Sequence, residues 1–283
     1  MTNILIFARL TVLEASRRKV LWALVGLAVL IIGLSFWGFA RLPDVHAFGT
    51  QLSAANSHLT TAQLLGIVLF ALSFVGALGM SFVAAPTIAG ELESGVALSL
   101  LARPVRRSEV LLGKWLGLVG LAVAYVVLVG GAEIAAAETG TGYQVPGPVT
   151  AVALLAAQTV SLLSLALLLS TLLSPMAASV VAVGLFGTAW VAGLVGDIGQ
   201  TLHDSSVAEV GTVDHLLLPT DGLWNGVMNA VDQTSLVNSF SDRLVGNPFF
   251  QPNGLTFAYL LWSAAWLVAV VAATHFRFSR VEP

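Results

Sequence analysis

The chain has 283 residues, of which 57% are hydrophobic and only 10% charged. A soluble domain carries about 25% charge, so much of the solvent of this protein is lipid. A net charge of −3 is too small to point to nucleic acid, and the absence of cysteine excludes disulfides, thiolate metal sites and cysteine nucleophiles.

The first nineteen residues carry Arg9, Glu14, Arg17, Arg18 and Lys19. Ile4, Leu5, Ala8, Val12 and Ala15 recur at helical spacing on one side, with Asn3, Thr11, Glu14 and Arg18 on another. This pattern predicts a helix along the membrane surface ahead of the first span. A frayed basic tail is the alternative. Residues 20–40 form an uncharged run of 21 residues, which at ~1.5 Å per residue crosses ~30 Å of hydrocarbon. The run exceeds a signal-peptide core of about 7–15 residues, and no small-x-small cleavage site follows it. It reads as an uncleaved span.

Residues 41–61 read as a polar connection containing Pro43, Asp44, His46 and His58. Residues 64–85 read as the second span, where Gly66, Gly76, Gly79 and Ser81 admit close helix approach. The most highly charged stretch of the chain follows at 90–109. It runs from Glu91 and Glu93 through Gly95, Leu100, Leu101, Arg103, Pro104, Arg106 and Arg107 to Glu109, with Lys114 just beyond. Leu92, Val96, Leu100 and Leu101 form an apolar stripe at helical spacing, and Arg103-Pro104 ends that helix. Physics alone leaves two readings. The stripe docks in the groove of a partner protein, with flanking charges fixing register. Or the helix floats at the headgroups with its arginines near anionic lipid.

The third span is expected at 110–133, capped by Ser108 and with Glu109 at the positive end of the helix dipole. Glu133 and Glu138 fall at its far end, where Glu133 reads as an interface residue reaching water rather than an intramembrane proton or substrate site. Residues 140–148, rich in Gly and Pro, read as a turn. Residues 149–195 are an uncharged run of 47 residues, too long for one span. Ser174-Pro175 divides it into spans at 151–173 and 176–195. Residues 196–254 are polar and acidic, and short helices around 216–228 are expected to cover the mouth of the bundle. The sixth span is expected at 255–274, followed by Arg277 and Arg280.

With six spans, Arg9, Arg17, Arg18, Lys19, Arg103, Arg106, Arg107, Lys114, Arg277 and Arg280 fall on one side, and only Arg41 and Arg243 on the other. Basic loops stay in the cytoplasm. Both termini and the charged stretch are therefore expected inside a cell membrane, with the acidic loop outside.

No catalytic constellation stands out. There is no G-x-x-x-x-G-K-[ST], no H-E-x-x-H and no G-x-S-x-G. His203-Asp204 and Asp214-His215 match no standard metal spacing and read as a solvated loop. The centres of all the expected spans are uncharged, unlike those of proton- or ion-coupled carriers. Energy is then expected to arrive from outside the bilayer.

The run Glu91-Leu92-Glu93-Ser94-Gly95, with Leu100-Leu101-Ala102-Arg103-Pro104-Val105-Arg106-Arg107-Ser108-Glu109-Val110-Leu111-Leu112-Gly113-Lys114-Trp115-Leu116-Gly117, resembles the signature of ABC-2-type transporter permeases. It is similar to the branch of NosY-like and multidrug-export permeases. Val96-Ala97 after Gly95 departs from that pattern. The resemblance implies an all-α membrane protein of the type V ABC exporter kind. It would have six transmembrane helices, an N-terminal surface (connecting) helix, a cytoplasmic coupling helix between spans two and three, and an outer loop domain before the sixth.

The resemblance also implies two cytoplasmic ATPase subunits and a second permease chain, identical or related, in the lipid bilayer. ATP and magnesium would sit on the ATPase, with no cofactor or catalytic site on this chain. Glu91, Glu93, Gly95, Leu100, Leu101, Arg103, Pro104, Arg106, Arg107, Glu109 and Lys114 would form the ATPase-coupling segment. Substrate would pass between the two permease chains, along uncharged residues of the second and fifth spans. A lone secondary carrier or channel, an intramembrane hydrolase and a non-transporting force-transmitting subunit are the rivals.

Overall fold

The computed structural model describes residues 2–42, 46–47, 50–51, 54–93, 106–202, 205–231 and 255–280. Helix α1 (Thr2–Ser16) turns at Arg17-Arg18 into α2 (Lys19–Arg41). A short hairpin, β1 (His46–Ala47) against β2 (Thr50–Gln51), precedes α3 (Ala54–Ala84). After a break at Ala85, α4 (Pro86–Glu93) continues from α3. Then come α5 (Arg107–Thr141), α6 (Pro148–Ser170), α7 (Pro175–Leu202), α8 (Ser205–Leu217), α9 (Thr220–Val231) and α10 (Phe257–Ser279). Among the described residues six helical stretches are long and apolar enough to cross a membrane: α2, α3 running on into α4 as far as Gly90, α5, α6, α7 and α10.

The bundle is built around α6. In its most apolar stretch 61% of residues are buried, against 17% in α2 and in α10. Lipid tails are as apolar as leucine, so helices here associate through close packing and hydrogen bonds rather than through expulsion of water. The composition of α6 fits that role. Thr159, Ser161 and Ser164 return their hydroxyls to carbonyls one turn back, at 2.9, 2.9 and 2.8 Å, and so bury no unpaired donor. Ser73 Oγ donates to Gln158 Oε1 at 3.0 Å and fastens α3 to α6, a contact worth roughly 0.6–2 kcal/mol. By contrast, α2 and α10 expose large apolar side chains such as Trp22, Trp37, Phe257 and Val268.

Several helix limits differ from the sequence reading. Helix α3 begins ten residues ahead of the expected position 64, because residues 54–63 contain no breaker and Thr61 and Ala62 pack inside. Helix α5 runs on through Gly140 to Thr141. Gly140 is not a turn residue. A Cβ there would lie 2.8 Å from the Phe39 carbonyl carbon, so this glycine lets α2 approach. The turn starts at Gly142, whose φ of 71° is left-handed, and its N–H donates to Glu138 O at 2.9 Å. Ser108 does not cap α5. The N-cap position is Arg106, with no side-chain cap bond, and Ser108 sits inside the first turn while Glu109 does occupy the dipole end. Between α6 and α7 the break occupies residues 171–174, and Pro175 opens α7.

The segment before the last span contains a helix set into the bundle. Eleven of the twelve residues of α9 are buried. It packs on α6 and touches α3 and α7. Trp224 meets Phe70 edge to face at 5.4 Å. Two bonds fix its far end: Tyr143 Oη donates to Val231 O at 2.7 Å, and Gly147 N donates to Ala230 O at 2.9 Å.

Candidate coupling site

One end of the bundle gathers α1, α4, the start of α5 and the end of α10. Helix α5 organises it through a short run in which each residue type has its own direction. Gly113 and Gly117 lie one turn apart on one face. A Cβ on Gly113 would stand 2.5 Å from Phe7 Cβ and 2.8 Å from the Ile4 carbonyl oxygen, and one on Gly117 would stand 2.5 Å from the Ala8 carbonyl oxygen. Helix α1 therefore lies in a groove that glycine leaves open. Its docking stripe holds Ile4, Phe7, Ala8, Thr11 and Ala15, the last two buried. Leu5, expected on the same stripe, is instead 68% exposed, one helical step off the contact line. Asn3 Nδ2 donates to Glu109 Oε2 at 3.1 Å across this interface.

Lys114 points elsewhere. It is 5% exposed, and its Nζ donates to the Thr87 carbonyl at 2.8 Å. Thr87 is the second residue of α4, just past the break that Pro86 causes by lacking an N–H. Thr87 Oγ1 bridges that break by donating to Val83 O at 3.0 Å. Ile88 and Ala89 of α4 are buried against the bundle, and α4 touches α6 and α7. Trp115 faces a third way, its Nε1 donating to Ser164 Oγ on α6 at 2.9 Å.

Arg107 closes the end. Its Nη1 donates to Phe278 O at 3.4 Å and Ser279 O at 3.0 Å, carbonyls that the last turn of α10 leaves without helical partners. Arg280 lies 3.9 Å over the Phe276 ring. Arg9 on α1, Arg17 and Arg18 in the turn after it, Lys19 at the start of α2, Arg106 just ahead of α5 and Arg277 in the last turn of α10 belong to the same end. Arg18 is paired with Glu14 at 2.6 Å.

Of the residues expected to form the coupling segment, Glu91 and Glu93 fall in the last turn of α4. Gly95, Leu100, Leu101, Arg103 and Pro104 lie outside the described residues. Arg106 is exposed ahead of α5. Arg107 and Glu109 hold α10 and α1, and Lys114 is inside the bundle. The sequence reading did not see the α1 groove, although the four-residue spacing of Gly113 and Gly117 carries its signal. Nothing in the sequence marks Thr87 as the acceptor for Lys114.

At the opposite end Glu133 does not reach water, contrary to the sequence reading. It is 0% exposed, and among the described residues neither carboxyl oxygen has a partner at hydrogen-bonding geometry. Ser35 of α2, itself buried, is its polar neighbour. The helix continues beyond Glu133, and α2 covers this face up to Phe39.

Asp214 and His215 of α8 converge with Asp221 of α9. His215 Nε2 lies 2.9 Å from Asp221 Oδ2, and Tyr259 Oη of α10 donates to His215 O at 3.3 Å. Burial, then the Asp221 charge, pushes the Asp214 carboxyl up to about 6, with His215 acting the other way. Among the described residues no group of three or more His, Asp or Glu is arranged to hold a metal ion.

The sequence matches the family model described as "ABC-2 family transporter protein" over residues 6–282. No curated protein matches it. With almost the whole chain matched and six apolar helices long enough to span a bilayer, this multi-pass membrane protein belongs to the ABC-2 family of transporter proteins.

Proposed function

We propose that the chain is the permease subunit of an ABC exporter, moved by separate cytoplasmic ATPase subunits that seat on α4 and the charged segment after it. The observation that carries this reading is α4. It is a short helix broken off the end of a long apolar one, at the basic end of the bundle, and tied by Lys114 to the next span. A helix so placed can receive a push and pass it into the bundle. Basic residues favour the cytoplasmic side, which puts this end and both termini inside the cell membrane and α8 and α9 outside. ATP and magnesium belong to the ATPase, two copies of which would serve two permease chains, identical or related. The apolar spans suit a hydrophobic or amphipathic substrate.

The test is a mild-detergent purification of the tagged chain. An ATPase subunit at equal stoichiometry, lost when residues 91–107 are altered, supports the reading. A lone chain without ATP hydrolysis in several detergents overturns it in favour of a carrier or channel.

A further inference from the structure

We infer that the crevice where α5, α6 and α10 meet holds the acyl chain of an anionic phospholipid whose headgroup is bound by Arg277 and Arg280. This site requires only a chain in a bilayer and is independent of the part α4 plays in coupling. The crevice has a volume of about 190 Å³, counting its open side. It is lined by Leu111 and Trp115 of α5, Ser164 and Leu167 of α6, and Val271 and Thr274 of α10.

Its walls are more apolar than these residue types suggest. Thr274 Oγ1 donates to Val270 O and Ser164 Oγ donates to Val160 O, both at 2.8 Å. The Trp115 indole N–H donates to Ser164 Oγ at 2.9 Å. All three polar hydrogens of the lining side chains are thus spent within the protein. A water needs about two to four polar partners and would meet no unspent donor here, whereas methylenes suit such walls. Only 17% of the most apolar stretch of α10 is buried, so lipid reaches this seam.

Positive charge lies at one end of the crevice. Arg277 and Arg280 follow Thr274 along α10 by about 5 and 9 Å of helix. That is the separation expected between a headgroup phosphate and the first methylenes below it. Both arginines are exposed, and among the described residues neither is paired with a carboxylate. Arg280 lies over the Phe276 ring at 3.9 Å, which holds its guanidinium against the apolar surface. Arg107, one turn ahead of Leu111, reaches Ser279 O across the mouth and adds its charge there. The acid of the same helix end, Glu109, accepts from Asn3 on the α1 side, and Glu282 lies outside the described residues. Guanidinium N–H groups match phosphate oxygens in paired geometry, and clustered arginines at a membrane surface attract anionic lipid. A zwitterionic lipid offers the same phosphate but brings its own cation beside these arginines, so the site selects an anionic headgroup.

The experiment uses the full chain in phosphatidylcholine nanodiscs that contain a minor fraction of lipid with brominated acyl chains, as phosphatidylglycerol or as phosphatidylcholine. Bromine quenches indole fluorescence on contact. Trp115 lines the crevice, so the quenching that disappears in Trp115→Phe separates this site from the rest of the chain's seven tryptophans. Brominated phosphatidylglycerol should quench Trp115 about fivefold more than brominated phosphatidylcholine. Arg277→Gln combined with Arg280→Gln should bring the two lipids to parity. Equal quenching by both lipids in the wild-type chain overturns the inference and leaves an ordinary lipid contact. No quenching of Trp115 by either lipid overturns the crevice as an acyl-chain site, and an undiminished preference in the double arginine variant overturns the headgroup assignment. If Trp115→Phe does not fold, total quenching in the wild-type chain and the double arginine variant decides. A preference lost in the variant supports the site, and a preference kept contradicts it.

Discussion

Arg107, in the first turn of α5, holds the carbonyl of Ser279 at the last turn of α10, 172 residues away in sequence, at 3.0 Å. The bond joins the end of the final span to the start of the helix that also seats α1 and α4. A cation at a helix C-terminus is worth about 0.3–1 kcal/mol. Arg107→Gln should therefore leave the bundle folded and speed amide exchange at the end of α10 by roughly two- to fivefold. Unchanged protection there would show that Arg107 is not the clasp.

Gly117→Val places side-chain carbon where the Ala8 carbonyl oxygen would be 2.5 Å from the Cβ. Main chain cannot yield as a flexible side chain can, so overpacking of about 1–3 kcal/mol follows. The expected outcome is a lower thermal midpoint in detergent and undocking of α1, read as new labelling of a cysteine placed at Thr11. Gly120→Ala, with open space at its Cβ, is the matched control and should behave as the parent.

Glu133 costs stability if burial is all it does. An unsatisfied buried polar group is worth about 1–3 kcal/mol. Glu133→Leu is then expected to raise the thermal midpoint, while Glu133→Lys should prevent α2 from packing on α5. A Glu133→Leu chain that is stabilised but no longer responds to ATP would assign the carboxyl a working role.

The Asp214 carboxyl titrates near 6 in the folded chain against an ordinary value of 3.8. The folded form thus holds this proton more tightly than the unfolded chain. Its contribution is fully present below about pH 4 and is lost as pH rises through 6. Thermal midpoints should show this as a loss of stability between about pH 4 and pH 6 that Asp214→Asn removes. An identical pH slope in the variant would rule Asp214 out as its source.

Much of the architecture was legible because it depends on apolar length. A helix crossing the bilayer needs about twenty uncharged residues, and α2, α6 and α10 follow almost directly from that. Helix ends were less legible. Residues 54–61 and glycine 140 read as loops, yet helix runs through both. The inward placement of α9 and of Glu133 was invisible for a related reason. Polar side chains suggest water, and only the neighbouring helices decide whether water reaches them. At the basic end of the bundle, charge density singled out the stretch from Glu91 to Lys114 as the candidate segment. It could not show that Lys114 points into the bundle toward Thr87, a contact between residues 27 apart with no local pattern.

The most direct measurement is the ATP hydrolysis rate of the ATPase alone, with the wild-type chain, and with a Glu91→Lys, Glu93→Lys chain, all in nanodiscs. Both residues lie in the last turn of α4. The account predicts that the wild-type chain changes the rate, and that the double variant inserts normally but loses about nine-tenths of the change. A double variant that inserts and alters hydrolysis as the wild type does would contradict the claim that α4 receives the stroke.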